Sequence, residues 1–147
     1  MNYFLDTNIL LTYLRDNEKR QIIEEEYDPF GPSNNPLISV VSIGEIKSIA
    51  KRNYWGIKKL SILESILNSL IVIDINSEDV IEAYAEIDAY SQGKLKNNPL
   101  NMTARNMGKN DLWIAASCHV TKSSLITTDK DFNHLDKTYF TLFCIVF

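Results

Sequence analysis

Short apolar runs alternate along this chain with segments in which apolar residues recur at helical spacing. Residues 3–5 form an apolar run, and the apolar positions among residues 9–14 then share one helix face. The same change of period recurs further along. It predicts strands at residues 3–5, 37–41, 70–75, 124–127 and 139–147, and helices over 9–14, from Ser42, after Gly56 to about Leu70, from Ser77 to about Ser91 and from about Asn110 to His119, with a helical turn after Asp129.

Strands that alternate with helices predict an α/β domain, in which a mostly parallel sheet is covered by helices on both faces. The β-branched run at residues 70–75 is typical of a buried strand. Residues 27–36 hold three of the four prolines and residues 93–107 are rich in polar side chains, so both are predicted loops. With 147 residues, 45% of them hydrophobic, we expect a single domain spanning residues 1–147.

The composition points away from secreted and membrane proteins. The first residues lack the basic start and long apolar stretch of a signal peptide, and no apolar run reaches the roughly 18 residues of a membrane span. We therefore expect a cytoplasmic protein with no membrane partner. Cys118 and Cys144 both lie in apolar contexts, which indicates buried thiols rather than a disulfide.

The formal net charge of −4 argues against a generic nucleic-acid coat, because phosphate binding depends on Lys and Arg. The charges are segregated, however. Residues 74–88 contain six acids and no Lys or Arg, whereas residues 90–110 contain no acid and carry Lys94, Lys96, Arg105 and Lys109. This basic stretch either meets phosphates or is a solvated loop, and the sequence leaves both interpretations open.

Four acids lie where predicted strands lead into helices. Asp6 ends the first strand, Glu45 follows the second, Asp111 lies in the first turn of its helix, and Asp129 follows the strand that ends at Thr127. Ligands of open α/β sheets bind outside the carboxyl ends of the strands, so these acids can converge on one edge.

Each of these acids alone also has a structural explanation. Asp6 and Asp129 could cap the helices that follow them, Ser42 and Glu45 match a capping box, and Asp111 could favour the helix dipole. Spacing alone does not exclude four other acids, Asp74, Glu78, Asp79 and Asp131. It ranks Asp74 and Glu78 about equal to Glu45 as candidates for the site.

Convergence of four carboxylates would be costly without a cation. Each close pair would repel by roughly 1 to 4 kcal/mol, depending on the effective dielectric. Mg²⁺ and Mn²⁺ bind carboxylate and water oxygens, whereas His119 and His134 lie in no zinc-ligand spacing and are expected to be a helix-face and a loop histidine. A hard divalent cation therefore gives a reason to gather the acids.

Four segments of the chain resemble, in order and spacing, the motifs of PIN-domain nucleases, most closely those of the VapC type. The segments are FLDTNIL at residues 4–10, SVVSIGEI at 39–46, GKNDLWIAA at 108–116 and ITTDKDF at 126–132. The resemblance spans nearly the whole chain. It assigns the acidic positions of the family to Asp6, Glu45, Asp111 and Asp129, and not to Asp74 or Glu78.

This resemblance implies a PIN-like fold with a five-stranded parallel sheet, a homodimer, and Mg²⁺ or Mn²⁺ in the acidic pocket. It also implies endonucleolytic cleavage of RNA, often as the toxin of a type II toxin–antitoxin pair, with a cognate antitoxin as partner. Thr7, Asn8 and Thr127 resemble the polar residues that orient ligands and water in such sites. Asp131 competes with Asp129 for the fourth acidic position, and Asp129 is preferred because it directly follows Thr128.

The expected chemistry is metal-assisted hydrolysis of a phosphodiester, with Lys109 and Arg105 placed to hold the backbone of a single-stranded RNA. One rival is a phosphatase with an Asp-x-Asp motif, but Asn8 stands where the second Asp is required. Two further candidates stay open: an RNA-processing nuclease outside a toxin–antitoxin pair, and a non-catalytic RNA-binding module on the same fold.

Overall fold

The computed structural model describes all 147 residues and contains a five-stranded sheet. Its strands are β1 (Asn2–Leu5), β2 (Asn35–Ser39), β3 (Ile71–Ile73), β4 (Ser124–Thr127) and β5 (Thr141–Cys144). They are all parallel, in the order β3-β2-β1-β4-β5. The predicted α/β fold with a parallel sheet of about five strands is therefore confirmed.

Six α-helices connect the strands, and a 3-10 helix precedes β5. The helices are α1 (Thr7–Arg15), α2 (Asn17–Glu26), α3 (Val40–Arg52), α4 (Ile57–Asn68), α5 (Glu78–Ser91) and α6 (Lys109–Val120), and the 3-10 helix spans Lys130–Leu135. None of the helices combines the length and the apolarity that crossing a membrane requires.

The alternating side chains of the central strands build two cores, one on each face of the sheet. Phe4 and Leu125 pack with α5 and α6 in one core, whereas Leu5 and Ile126 pack with α1 to α4 in the other. All four side chains are fully buried. Because β1 and β4 are covered on both faces, the loops at their carboxyl ends are held from two sides.

Several predicted boundaries were wrong. Helix α2 was not predicted, because Ile23 is its only buried residue and its sequence therefore carries no apolar period. β2 ends at Ser39 and not at Val41, so α3 begins two residues earlier than predicted. β5 is also shorter than the predicted run of residues 139–147.

The expectation that residues 70–75 form a buried strand was wrong as well. β3 lies at the edge of the sheet, where Ile71 and Val72 are 47% and 46% exposed. Both cysteines are free thiols, as expected, but Cys144 is only partly buried. His119 lies exposed on α6 as predicted, whereas His134 is buried in the 3-10 helix and not in an open loop.

Candidate metal centre

The carboxyl ends of β1 and β4 bring Asp6 and Thr127 together. Leu5 pairs with Ile126 in the parallel register, so the residues that follow them are neighbours across 121 positions of sequence. The Thr127 hydroxyl donates to Asp6 Oδ2 at 2.7 Å, and the backbone N–H of Thr7 donates to Asp6 Oδ1 at 2.7 Å. Asp6 is only 4% exposed and is also the N-cap of α1, so the capping interpretation holds for it alongside any other role.

Glu45 reaches this site from α3 through Thr7. The Thr7 hydroxyl lies 3.0 Å from Glu45 Oε1 and 2.8 Å from Ser42 Oγ, and both Thr7 and Ser42 are buried. The capping box suggested for Ser42 and Glu45 is absent, because α3 is capped by Ser39, whose side chain accepts from the N–H of Val41. Ser42, for which the sequence suggested only a capping role, is instead a contact of the site.

Asp129 and Asp131 enter from the segment after β4. The N–H of Asp129 donates to the Thr127 hydroxyl at 2.9 Å, while Asp129 Oδ1 accepts from the N–H of Asp131 at 2.9 Å. Thr127 therefore connects Asp6 and Asp129 through one buried hydroxyl. Asp129 also caps the 3-10 helix, as its position after a strand allows.

Asp111 completes the group from the first turn of α6, where the helix begins after Gly108. One carboxylate oxygen each from Asp111, Asp129 and Asp131 lies within 4.8 Å of the other two. The structure thus brings both acids of the Asp129–Asp131 segment to Asp111, whereas the sequence favoured only the first of them.

The carboxylates of the site act on one another. Burial raises the pKa of Asp6, and the charges of Asp129 and Glu45 add to it, against the lowering effect of the hydrogen bonds from Thr127 and Thr7. Burial likewise raises the pKa of Asp111, and the charges of Asp6, Asp129, Glu45 and Asp131 raise it further, to about 7. The charged form of Asp111 is thus opposed first by burial and then by four neighbouring negative charges.

Six further candidate residues take no part in the carboxylate contacts described above. Asn8 is exposed in the first turn of α1, next to Thr7. Arg105 and Lys109 are exposed and have no side-chain partner in the structure. Asp74 binds the backbone N–H of Asn76, and Glu78 and Asp79 occupy the first turn of α5, so these three acids serve local structure away from the group.

The family model of the PIN domain matches residues 3–138. This chain belongs to the PIN-domain family. The match covers the acidic cluster and every strand except β5 and the first residue of β1. No curated protein matches the chain.

Several solved structures are similar to this PIN domain, and they include members of the VapBC family of toxin–antitoxin systems. VapBC-1 of nontypeable Haemophilus influenzae is 26% identical with a TM-score of 0.73, and the match covers 98% of each chain. VapBC2 of Rickettsia felis, bound to a DNA fragment from its promoter, is 19% identical with a TM-score of 0.70 over 99% of this chain and 100% of that one. FitAcB of Neisseria gonorrhoeae is 20% identical with a TM-score of 0.70 over 96% of each chain.

Proposed function

We propose that this PIN domain is a Mg²⁺- or Mn²⁺-dependent endoribonuclease that hydrolyses phosphodiester bonds. The observation that carries the proposal is the group of carboxylate oxygens from Asp111, Asp129 and Asp131, within 4.8 Å of one another, with Asp6 and Glu45 in the same electrostatic field. The family supports it, since PIN domains are generally nucleases.

The donor set fits a hard divalent cation. It consists of carboxylate oxygens, one of which accepts a hydrogen bond from a threonine hydroxyl. Oxygen atoms are the ligands that Mg²⁺ and Mn²⁺ bind in proteins. The raised pKa of Asp111 means that its charged form lacks a counter-charge in the protein alone. A cation held by Asp6, Asp111, Asp129 and Glu45, with Asp131 as a further ligand, supplies that charge.

In the proposed mechanism, the protein orients its ligands through threonine hydroxyls. Thr127 fixes Asp6 Oδ2 and the backbone of Asp129, and Thr7 fixes the Glu45 carboxylate, which then either binds the cation or orients the attacking water. When bound, the cation lowers the pKa of water and neutralises charge on the phosphoryl oxygens. No nucleophilic side chain is required.

We further propose that the enzyme is the toxin of a type II toxin–antitoxin pair and acts in the cytoplasm. Its support is the likeness to VapBC and FitAB proteins, since VapBC-5 of Mycobacterium tuberculosis belongs to a family of toxin–antitoxin systems. In this proposal the chain forms a homodimer and binds a cognate antitoxin. An antitoxin segment that carries Arg would complement the acidic cluster, because guanidinium groups pair with carboxylates.

A cleavage assay on the purified protein tests the nuclease. RNA should be cut with Mg²⁺ or Mn²⁺ and remain intact in EDTA, and Asp111→Asn should abolish cutting. Asp79→Asn is the matched control, since Asp79 is also an aspartate in the first turn of a helix but lies outside the cluster. Undiminished cleavage in EDTA would sink the proposal, and RNA binding without cleavage in any metal would favour a non-catalytic RNA-binding module.

A further inference from the structure

Ser91, the last residue of α5, joins three parts of the chain through buried contacts. Its hydroxyl lies 2.7 Å from His134 Nε2 in the 3-10 helix and donates to Met107 Sδ at 3.4 Å. Its backbone carbonyl accepts from the N–H of Arg105 at 2.7 Å. Ser91 is completely buried, and His134 and Met107 are 3% and 8% exposed.

These contacts anchor the returning arm of the loop of residues 92–108, which we call the basic loop. It carries Lys94, Lys96 and Arg105, contains no acid and leads directly into α6. Its returning arm meets Ser91 at Arg105 and again at Met107, just before Gly108 caps α6. The position of the loop is therefore set where α5 ends.

The anchor lies beside the acidic cluster. His134 is in the same short 3-10 helix as Asp131, and the segment begins at its cap, Asp129. Burial lowers the pKa of His134, and the positive charge of Arg105 lowers it further. The backbone of Arg105 is thus held, and its basic side chain is placed, near the 3-10 helix, whose cap Asp129 and residue Asp131 supply two carboxylates of the cluster.

Packing alone does not explain a buried Ser–His pair. Removing a hydroxyl and an imidazole from water costs free energy, and well-packed apolar side chains would fill the same space without that cost. A hydrogen bond between them does have a directional effect, since it fixes the 3-10 helix relative to the end of α5.

We infer that Ser91 and His134 are positioning residues that hold the basic loop against the 3-10 helix, so that Arg105 contacts the phosphate backbone of RNA entering the acidic cluster. This inference rests on the proposed function. It assigns a role to two buried polar residues that bind neither the cation nor the RNA.

Ser91→Ala removes the hydroxyl at the anchor, and Ser117→Ala is its matched control. Ser117 is a fully buried serine of α6 whose hydroxyl has no partner in the structure. For RNA cleavage with Mg²⁺, Ser91→Ala should raise KM about fivefold and leave kcat unchanged. A fivefold change in KM is the size expected when one hydrogen bond that positions the RNA-binding loop is lost. Ser117→Ala should change neither constant.

A double-mutant cycle with Arg105→Ala then tests how Ser91 acts. If its effect runs through Arg105, Ser91→Ala should add nothing to the KM of Arg105→Ala. Additive effects, or a loss of kcat with KM unchanged, would overturn the inference and leave the nuclease proposal standing.

Two measurements separate failure of the inference from failure of the nuclease. Amide hydrogen exchange without RNA should become faster over residues 93–108 in Ser91→Ala and remain at wild-type rates in α6 and β4; unchanged exchange in the loop would overturn the inference. The second measurement repeats the double-mutant cycle of Ser91→Ala and Arg105→Ala in an Asp111→Asn background, which cannot cleave. It compares the affinities of these proteins for a fluorescein-labelled random single-stranded RNA. If the wild type cuts no RNA, the nuclease proposal fails, and this binding cycle still decides the role of Ser91. If these proteins then bind no RNA either, the inference about Ser91 is overturned as well.

Discussion

Replacing Asp111 with asparagine should stabilise the metal-free protein at pH 8. The pKa of Asp111 is about 7 in the folded protein, against an ordinary value of 3.8, because burial and four neighbouring carboxylates oppose its charge. The folded protein therefore binds the proton more tightly than the unfolded chain does. The unfolding free energy falls as the pH rises from about 4 to 7, and the full penalty is present above pH 7.

The size of the effect follows from the same pKa. The difference between 3.8 and about 7 corresponds to about 4 kcal/mol, at about 1.36 kcal/mol per pKa unit. Asp111 is only half-buried, so solvent screening reduces this to roughly 2 kcal/mol. For a chain of this size, the melting temperature of Asp111→Asn in EDTA at pH 8 should exceed that of the wild type by roughly 4 to 8 °C.

Thermal melts of both proteins in EDTA and in Mg²⁺, at pH 8 and pH 5, provide the assay. At pH 5 the difference should shrink to less than half, because Asp111 of the folded wild type is then protonated and only the interval from 3.8 to pH 5 still favours the unfolded chain. Mg²⁺ at a hundredfold excess over Kd should add about 2.7 kcal/mol to the wild type and less to the variant. The control Asp79→Asn should lose a few tenths of a kcal/mol and show no dependence on metal.

Asp111 does not belong to a shared metal-binding cluster if Asp111→Asn melts below the wild type in EDTA at pH 8 and gains as much stability from Mg²⁺ as the wild type does. That result is expected of a carboxylate that only favours the dipole of α6, since losing such a charge is destabilising whether or not a cation is present.

Three further outcomes follow from the site. Asp6→Asn should also melt higher than the wild type in EDTA at pH 8, because burial and the neighbouring carboxylates raise the pKa of Asp6, but its gain should be smaller than that of Asp111→Asn, since an amide can accept only one of the two hydrogen bonds from Thr127 and Thr7. Thr127→Val, of similar volume, should cost about 1 to 3 kcal/mol in chemical denaturation and weaken Mg²⁺ binding in calorimetry, whereas undisturbed Mg²⁺ affinity would contradict its orienting role. Light scattering at micromolar concentration should give the mass of two chains, and a monomer would count against the homodimer.

The sequence predicted the parts of the fold that depend on local period. Residues buried on both faces of the sheet, such as Phe4 and Leu5, form an apolar run that marks β1, and the motif acids follow from strand ends. α2 escaped prediction because its only buried residue is Ile23. The long apolar run before α5 was predicted as buried, since hydropathy cannot distinguish an edge strand from a central one.

Only the residues of the site that belong to the four motifs could be predicted from the sequence. The motifs named Asp6, Glu45, Asp111 and Asp129, but no spacing rule shows that Asp131 lies within reach of Asp111. The Ser91–His134 contact joins residues 43 positions apart and carries no pattern of charge or period. Such contacts depend on tertiary packing, and local sequence does not contain them.

Because β1 and β4 are adjacent in the sheet but far apart in sequence, the site can form only late in synthesis. Asp6 is synthesised early, but its hydrogen-bond partner Thr127 and the carboxylates of the 3-10 helix follow more than a hundred residues later. A nascent chain or a truncated product that stops before β4 lacks two of the three clustered carboxylates, however well its helices have formed. Because domains fold as the ribosome releases them, the chain stays without its acidic cluster until β4 has docked beside β1. Incompletely synthesised chains therefore lack the active site of the proposed nuclease.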